Sequence, residues 1–529
     1  MLDNATVHKQ SGAPATARPA EPRGMLITSR GNFDASVHAP LANYMATRYG
    51  TKSFVLVGRA AVGEKWKQWT NGNAVILNDE DLHAKAEVAA RDWEKVQEIA
   101  RTFERRYALT YMREVLHQDK GIAAYYLQHS PGSAFAQQEP MPFPMLVALI
   151  NSYFQTLEDL LAAHPIDLFL TRASGIFNSA AVAIARSRHI PLSWLNHARI
   201  GQQMIWMEGP DHGAGLVKLH YPDAVTVSVP ELDEIAPPPD TRSARAAAEH
   251  DDSVVKLATA VARSVAERLI MRSSDLSRAS WPRRLPLRGL LAQNFYRWRT
   301  ASYLVSRARA DARKLQKGRY VLFLLHLDPE YSSSTLARRF NHTQAIIQQL
   351  ALSLPIGYTL AVKEHVIGLG NRTLPFYKGL SHLPNLVFVD HRLKAIDVAR
   401  DAAAVATVWG TICLEASLIG VPVICFTENS EYAVLRNVHT VRSPTEIPDV
   451  VRDALQPRTD AEILDARREA ARFRNAQLAL SFRLSSIDLD EYGNRSRSTF
   501  GLPEAELEEA TAKLLAVYRS GGGTAEPVG

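Results

Sequence analysis

Ile166-Asp167-Leu168-Phe169-Leu170, then Gly175, then Ile190-Pro191-Leu192-Ser193-Trp194-Leu195, is the stretch that decides the fold. The first run is short and almost wholly apolar, as a strand covered on both faces must be. Gly175 opens a helix whose positions Ile176, Ala180, Ala183 and Ile184 fall on one face. The second run is the next strand. Strand, crossover helix and strand of this length predict a parallel βαβ unit.

Working outward, Met25 to Ser29 and Ser53 to Val57 are similar apolar runs, ending in Arg30-Gly31 and Gly58. A long helical region is expected from about Asp81 to Leu116. The later half repeats the pattern more regularly. Tyr320 to Leu325, Tyr358 to Val362, Leu386 to Val389, Ala404 to Val408 and Val421 to Phe426 read as strands. Helical stretches separate them, notably His342 to Leu352, Leu393 to Arg400 and Ile412 to Ile419. The expected class is therefore α/β, with two Rossmann-like lobes facing a cleft. The lobes share a pattern without sharing a sequence repeat.

Between the lobes the composition changes. Pro237-Pro238-Pro239 breaks the chain, and an Ala- and Arg-rich helical stretch follows. From Arg278 to Arg319 arginines and lysines then alternate with Trp281, Leu285, Phe295, Tyr296, Trp298, Tyr303 and other apolar residues. Such a mixture suits the interface of an anionic membrane, and equally a helical connection packed on the protein with a solvated basic face. No nucleic-acid-binding motif accompanies it, so a nucleic-acid partner is not expected. The resulting division is a flexible tail over 1–23, an N-terminal Rossmann-like lobe over 24–240 and a basic helical connection over 241–319. A C-terminal Rossmann-like lobe over 320–459, C-terminal helices over 460–518 and a flexible tail over 519–529 complete it.

Composition sets outer bounds. A chain of 529 residues with 46% hydrophobic and 22% charged residues folds, and is too long for one ordinary core. Its two cysteines, Cys413 and Cys425, cannot build a disulfide framework or a multi-cysteine metal site, which favours a reducing compartment. The N-terminal segment lacks the apolar core of a secretory signal, and no run approaches ~18 apolar residues. A cytoplasmic protein is expected, peripheral on the inner membrane face if the basic stretch binds lipid.

In open parallel sheets, ligands bind outside the carboxyl ends of the strands. Residues just after the strands are therefore the candidates. Lys363-Glu364-His365 follows the strand Tyr358 to Val362. Lys363 and His365 can neutralise a phosphate, with Glu364 orienting one of them. Trp409-Gly410-Thr411 follows the strand Ala404 to Val408, and a helix starts at once. Gly410 permits close backbone approach, Thr411 offers a hydroxyl, and Glu415 can accept from ribose hydroxyls. An N-cap role for Thr411 and a first-turn role for Glu415 fit the same residues. After Leu325 comes His326-Leu327-Asp328-Pro329-Glu330-Tyr331-Ser332-Ser333-Ser334-Thr335. A carboxylate here serves as base or nucleophile in sugar transfer; an Asp-Pro turn with serine caps is the plain alternative.

Taken together, Asp328-Pro329-Glu330-Tyr331-Ser332, Lys363-Glu364-His365-Val366, Gly410-Thr411-Ile412-Cys413-Leu414-Glu415-Ala416 and Gly420-Val421-Pro422-Val423 resemble the capsule polysaccharide synthesis proteins, which include bacterial β-Kdo transferases. The resemblance covers about Tyr320 to Phe426. Val366 departs from it where the family usually has proline, and Asp328 where it often has glutamine. The resemblance implies a metal-independent GT-B glycosyltransferase, with no cofactor beyond its nucleotide-sugar donor, CMP-Kdo or a related CMP-sugar. It implies that His365 meets the donor phosphate, and that Gly410, Thr411 and Glu415 meet the nucleotide. Glu330 would be the catalytic acid, with Asp328 beside it and Ser332 in the donor-binding loop, and configuration would be retained. The acceptor would be a growing surface saccharide or its lipid-linked precursor. A nucleotide-sugar epimerase on the same fold would use the same phosphate-binding residues, and a non-catalytic scaffold would keep the fold alone. In the first lobe Asp34, His38, Arg172, Ser174, His197, Arg199 and Asp211 stand where acceptor contacts or loop caps would.

Overall fold

The computed structural model describes residues 19–29, 32–58, 60–119, 141–171, 174–198, 200, 203–209, some positions between 254 and 265, 287–327, 337–427, 430–484 and 502–520. The first lobe contains β1 (Gly24–Ser29), β2 (Lys52–Val57), β3 (Ala74–Asn78), β4 (Leu168–Leu170), β5 (Leu192–His197) and β6 (Gln203–Glu208). With the later β13 (Phe482–Arg483) these form a seven-stranded sheet in the order β13-β6-β5-β4-β1-β2-β3. Strands β5, β4, β1, β2 and β3 run parallel, while β6 and β13 are each antiparallel to their inner neighbour.

Alternation along β1 explains why its run is apolar throughout. Leu26 enters the core on one face; Met25 and Ile27 enter the core on the other. Helices α1 (Asn32–Tyr49), α2 (Ala60–Trp69), α3 (Asp79–Ala89), α4 (Trp93–Arg106), α5 (Phe143–Ala163) and α6 (Ile176–Ser187) belong to this lobe. The long helical region expected from Asp81 is in fact divided. Asp92 restarts the chain as N-cap of α4, accepting the Lys95 N–H at 3.1 Å, and Ala108 leaves it at a positive φ of 48°. The βαβ unit of β4, α6 and β5 is the one expected, with Gly175 in a left-handed conformation (φ 94°) at the helix start.

In the second lobe β7 (Tyr320–Leu324), β8 (Thr359–Lys363), β9 (Leu386–Val389), β10 (Ala404–Thr407), β11 (Val423–Cys425) and β12 (Val438–Thr440) make a six-stranded, fully parallel sheet. Its order is β12-β11-β10-β7-β8-β9. Leading into it is α7 (Leu287–Asp311). Ala301 and Leu304 of α7 join the core with Val321 and Phe323, and the Tyr303 ring lies 6.4 Å from that of Phe388. This part of the basic aromatic stretch is thus built into the lobe; Phe295 and Arg299 stay exposed. Among the described residues no helix is long and apolar enough to cross a membrane.

The chain then crosses back. Helix α8 (Asp460–Leu480) packs on the helix Ile412–Leu418 of the second lobe and reaches β6 of the first. β13 adds to β6, and α9 (Glu504–Ser520) places Leu514, Leu515, Val517 and Tyr518 in the core that holds Met25 and Ile27. The indole N–H of Trp206 donates to the Ala510 carbonyl at 2.9 Å. The carboxyl-end connections of the two sheets also touch. Asn341, between β7 and the next helix, places its side-chain nitrogen 2.9 Å from Nε2 of His117 in the first lobe.

Candidate functional site

Strands β7 and β10 are neighbours, yet the chain proceeds from β7 to β8 and β9 on one side, and from β10 to β11 and β12 on the other. This reversal leaves a crevice at the strand ends, the place where doubly wound sheets take ligands. His326 follows β7 and Trp409-Gly410-Thr411 follows β10, so the two connections flank it. The main-chain N–H of Trp409 donates to Nε2 of His326 at 3.1 Å, and Thr407 Oγ1 lies 3.0 Å from the same nitrogen. An accepting Nε2 puts the ring proton on Nδ1. The Trp409 indole N–H donates to buried Glu431 at 3.2 Å, and its ring packs against the core of the first lobe.

Gly410 is not glycine for the sake of the backbone. Its φ lies outside the left-handed region, and a Cβ there would meet only His326 Cε1, at an ordinary 3.7 Å. Gly420, ten residues on, shows the contrast: its φ is +82° and a Cβ would come within 2.6 Å of Ile463 Cγ2. The fold requires glycine at 420 and leaves the choice open at 410. Thr411 is the N-cap of the helix Ile412–Leu418 but makes no side-chain cap bond. The capping role weighed from sequence is therefore not what its hydroxyl does. Glu415 is in the first turn of that helix, half-buried.

Lys363 ends β8, the other neighbour of β7, and Glu364 and His365 follow it. They do three different things. Lys363 is buried, and its ammonium donates to the His391 carbonyl at 3.1 Å. Glu364 is fully buried and accepts from Arg372 Nη1 at 3.0 and 3.1 Å, from Tyr377 Oη at 2.5 Å and from the His365 N–H at 2.8 Å. It orients the main chain of His365. Burial, and then the Glu364 charge, hold the Tyr377 hydroxyl well above its ordinary pKa, so it stays a donor. His365 is half-buried; its Nδ1 accepts from the Ile367 N–H at 3.3 Å, which places its proton on Nε2.

Asp328, Glu330 and Ser332 lie outside the described residues, as do Arg172, Arg199 and Asp211 and the side chains of Asp34 and His197. The Ser174 carbonyl accepts from the Asn178 side chain at 2.9 Å. His38 is buried, its ring 6.1 Å from that of Trp206. Sequence reasoning passed over His326, Arg372, Tyr377 and Glu431. His326 could have been found by the same strand-end rule that picked its neighbours; the other three join the site only through folding.

No family model matches the chain, and none of the curated proteins compared matches it. Solved structures similar to it include UDP-GlcNAc 2-epimerase from Neisseria meningitidis bound to UDP-GlcNAc, at 11% identity over 86% of this chain and 98% of that one, TM-score 0.28. The calicheamicin glycosyltransferase CalG4 is similar at 12% identity over 86% and 95%, TM-score 0.26. The glycotransferase of kitacinnamycin is similar at 11% identity over 87% and 98%, TM-score 0.23. The architecture itself, two doubly wound lobes whose chain returns to the first, is of the GT-B type.

Proposed function

We propose that this protein is a glycosyltransferase, moving a sugar from a nucleotide donor to a bacterial surface saccharide or its lipid-linked precursor. The observation that carries the reading is Gly410: a glycine the fold does not require, at the switch point of the second sheet. A backbone left bare there suits a ligand that must come close. In this reading Gly410, Thr411 and Glu415 hold the nucleoside, and His365 gives its Nε2 proton to the donor phosphate. Lys363, fixed on the His391 carbonyl, adds positive charge to the same strand end. These groups offset the charge that builds on the leaving phosphate, so the reading needs no metal or further cofactor. Glu330 is the catalytic carboxylate, with Asp328 as second acid and Ser332 orienting it; retention follows if Glu330 attacks the anomeric carbon. The donor proposed from the motif resemblance is CMP-Kdo or a related CMP-sugar. The site of action proposed is the inner face of the cytoplasmic membrane, approached through the exposed Phe295 and Arg299 side of α7.

The alternative is a nucleotide-sugar epimerase on the same fold, which would use the same phosphate-binding Gly410, Thr411 and Glu415. A melting-temperature screen with CMP, UDP, GDP and TDP identifies the nucleotide, because a bound ligand raises the transition. Incubation with the matching nucleotide sugar and no acceptor then decides. A transferase leaves the sugar's ring configuration intact, whereas an epimerase converts it unaided. Unaided conversion would overturn the transferase reading.

A further inference from the structure

We propose that Arg372 is a positioning residue of the donor site, fixing the spacing between His365 after β8 and the Trp409-Gly410-Thr411 turn after β10. The proposal rests on the reading of this crevice as a nucleotide-sugar site. Strands β8, β7 and β10 are consecutive in the sheet, so the ends of β8 and β10, from which His365 and Gly410 follow, stand about 10 Å apart at two strand spacings. A nucleoside and its first phosphate bridge such a span, provided the two ends are held in register.

The register is carried by β7, through one continuous set of contacts. The His365 N–H donates to Glu364 Oε1 at 2.8 Å. Both oxygens of Glu364 accept from Arg372 Nη1, while Arg372 Nη2 donates to the His326 carbonyl at 2.7 Å. The ring of the same His326 then accepts the Trp409 N–H at 3.1 Å. The charged links are buried, with Glu364 0% and Arg372 6% exposed, and the His326 ring that completes the set is half-buried. The Arg372 guanidinium lies 5.6 Å from the Phe376 ring centroid, which restricts its plane.

A buried ion pair is a poor way to gain stability, because desolvation offsets its Coulomb energy; apolar residues would fill the space as well. It does supply direction. A guanidinium fork can serve a carboxylate and a carbonyl at once in fixed geometry, and a lysine cannot. Glu364 and Arg372 therefore act through His365 and His326 rather than on the ligand.

The experiment compares affinities for CMP, UDP, GDP and TDP with those for their nucleosides, in wild-type protein and in Arg372→Lys, His365→Ala and the double variant. Arg372→Lys should weaken the bound nucleotide by about tenfold, and its nucleoside by less than about threefold, since only the phosphate end loses register. The double variant should bind no more weakly than His365→Ala alone, because the two substitutions break one contact path. Tyr377→Phe, which keeps the ion pair, should show a smaller loss of the same kind, and carries the comparison if Arg372→Lys does not fold. Equal losses for nucleotide and nucleoside, additive losses, or wild-type binding by the variants would overturn the positioning role. Should His365→Ala weaken nucleotide binding while Arg372→Lys does not, the site stands and the role of Arg372 falls. If wild-type protein binds none of the nucleotides, the site reading falls and this proposal with it.

Discussion

The main-chain N–H of Trp409 ends on Nε2 of His326, 3.1 Å away, so a side chain following one strand holds the backbone following its neighbour. The turn that contains Gly410 is thereby stiffened before any ligand arrives. Pre-organisation of this kind lowers the entropy cost of binding.

Gly410→Ala should leave the melting transition within about 0.5 kcal/mol of wild type, since the new Cβ meets nothing closer than 3.7 Å. The same change should cut the nucleotide-induced rise in melting temperature, and Gly410→Val should abolish it. Gly420→Ala should behave in the opposite way. With φ +82° and Ile463 Cγ2 at 2.6 Å, it should lose about 1–3 kcal/mol while the remaining folded protein still binds nucleotide. Scanning calorimetry with and without nucleotide reads both. Normal binding by Gly410→Val would place the ligand elsewhere.

His365→Ala should fold, because the ring is half-buried and its 3.3 Å bond to the Ile367 N–H lies within its own turn. Removing a hydrogen bond to a charged phosphate costs about 1.5–3 kcal/mol, roughly ten- to hundredfold in donor affinity. Titration calorimetry with the donor nucleotide measures it, and unchanged affinity would make the histidine structural.

Glu330→Gln keeps shape and removes charge. It should bind nucleotide as wild type does, yet lose transfer by roughly a hundredfold or more. Near-normal transfer would move attention to Asp328 or to the first lobe.

Replacing Arg299 and Arg309, both on the exposed side of α7, by glutamate should reduce binding to anionic liposomes, most visibly at low salt. Cosedimentation tests this. If wild-type protein ignores such liposomes, α7 serves only to build the second lobe.

His439 on β12 gives a pH dependence whose sign follows from its surroundings. Burial, the largest cause, lowers its folded-state pKa below the ordinary 6.5. The unfolded chain then binds the proton more readily, so this residue's share of stability is present above about pH 6.5 and lost as pH falls. His439→Gln should flatten the decline of melting temperature between about pH 7 and 5. An unchanged slope would show that other groups set it.

Most strands buried on both faces were legible in the sequence, although β6, buried from Met204 to Glu208, was not read. Runs such as Val321 to Leu324 and Ala404 to Thr407 carry no polar interruption until Thr407. β3 was missed because Val75 is half exposed and Leu77-Asn78 runs directly into the acidic start of α3. β12, with only Val438 buried, offers too short a signal to read. In the candidate site, the strand-end placement of Lys363, His365 and Gly410 was legible because the strand-end rule is local. Arg372 was not, since it reaches Glu364 from eight residues away through a loop that no periodicity describes. Glu364 was read as orienting Lys363 or His365, and it does hold the His365 N–H; its complete burial and its pairing with Arg372 were not legible.

The return of the chain to its first lobe imposes an order on synthesis. Met25 and Ile27 leave the ribosome early with the α1 and α2 residues of their core, but Leu514, Leu515 and Tyr518, which complete that core, are made nearly five hundred residues later. Throughout translation of the second lobe, whose strands are contiguous in sequence, the part of that core closed by α9 and the unpaired edge of β6 have no native cover. The later-made lobe can therefore reach its finished core first, while the earlier-made one waits. Nascent chains are correspondingly exposed to misassembly during that interval, and a chaperone acting on them would find its binding surface on the first lobe.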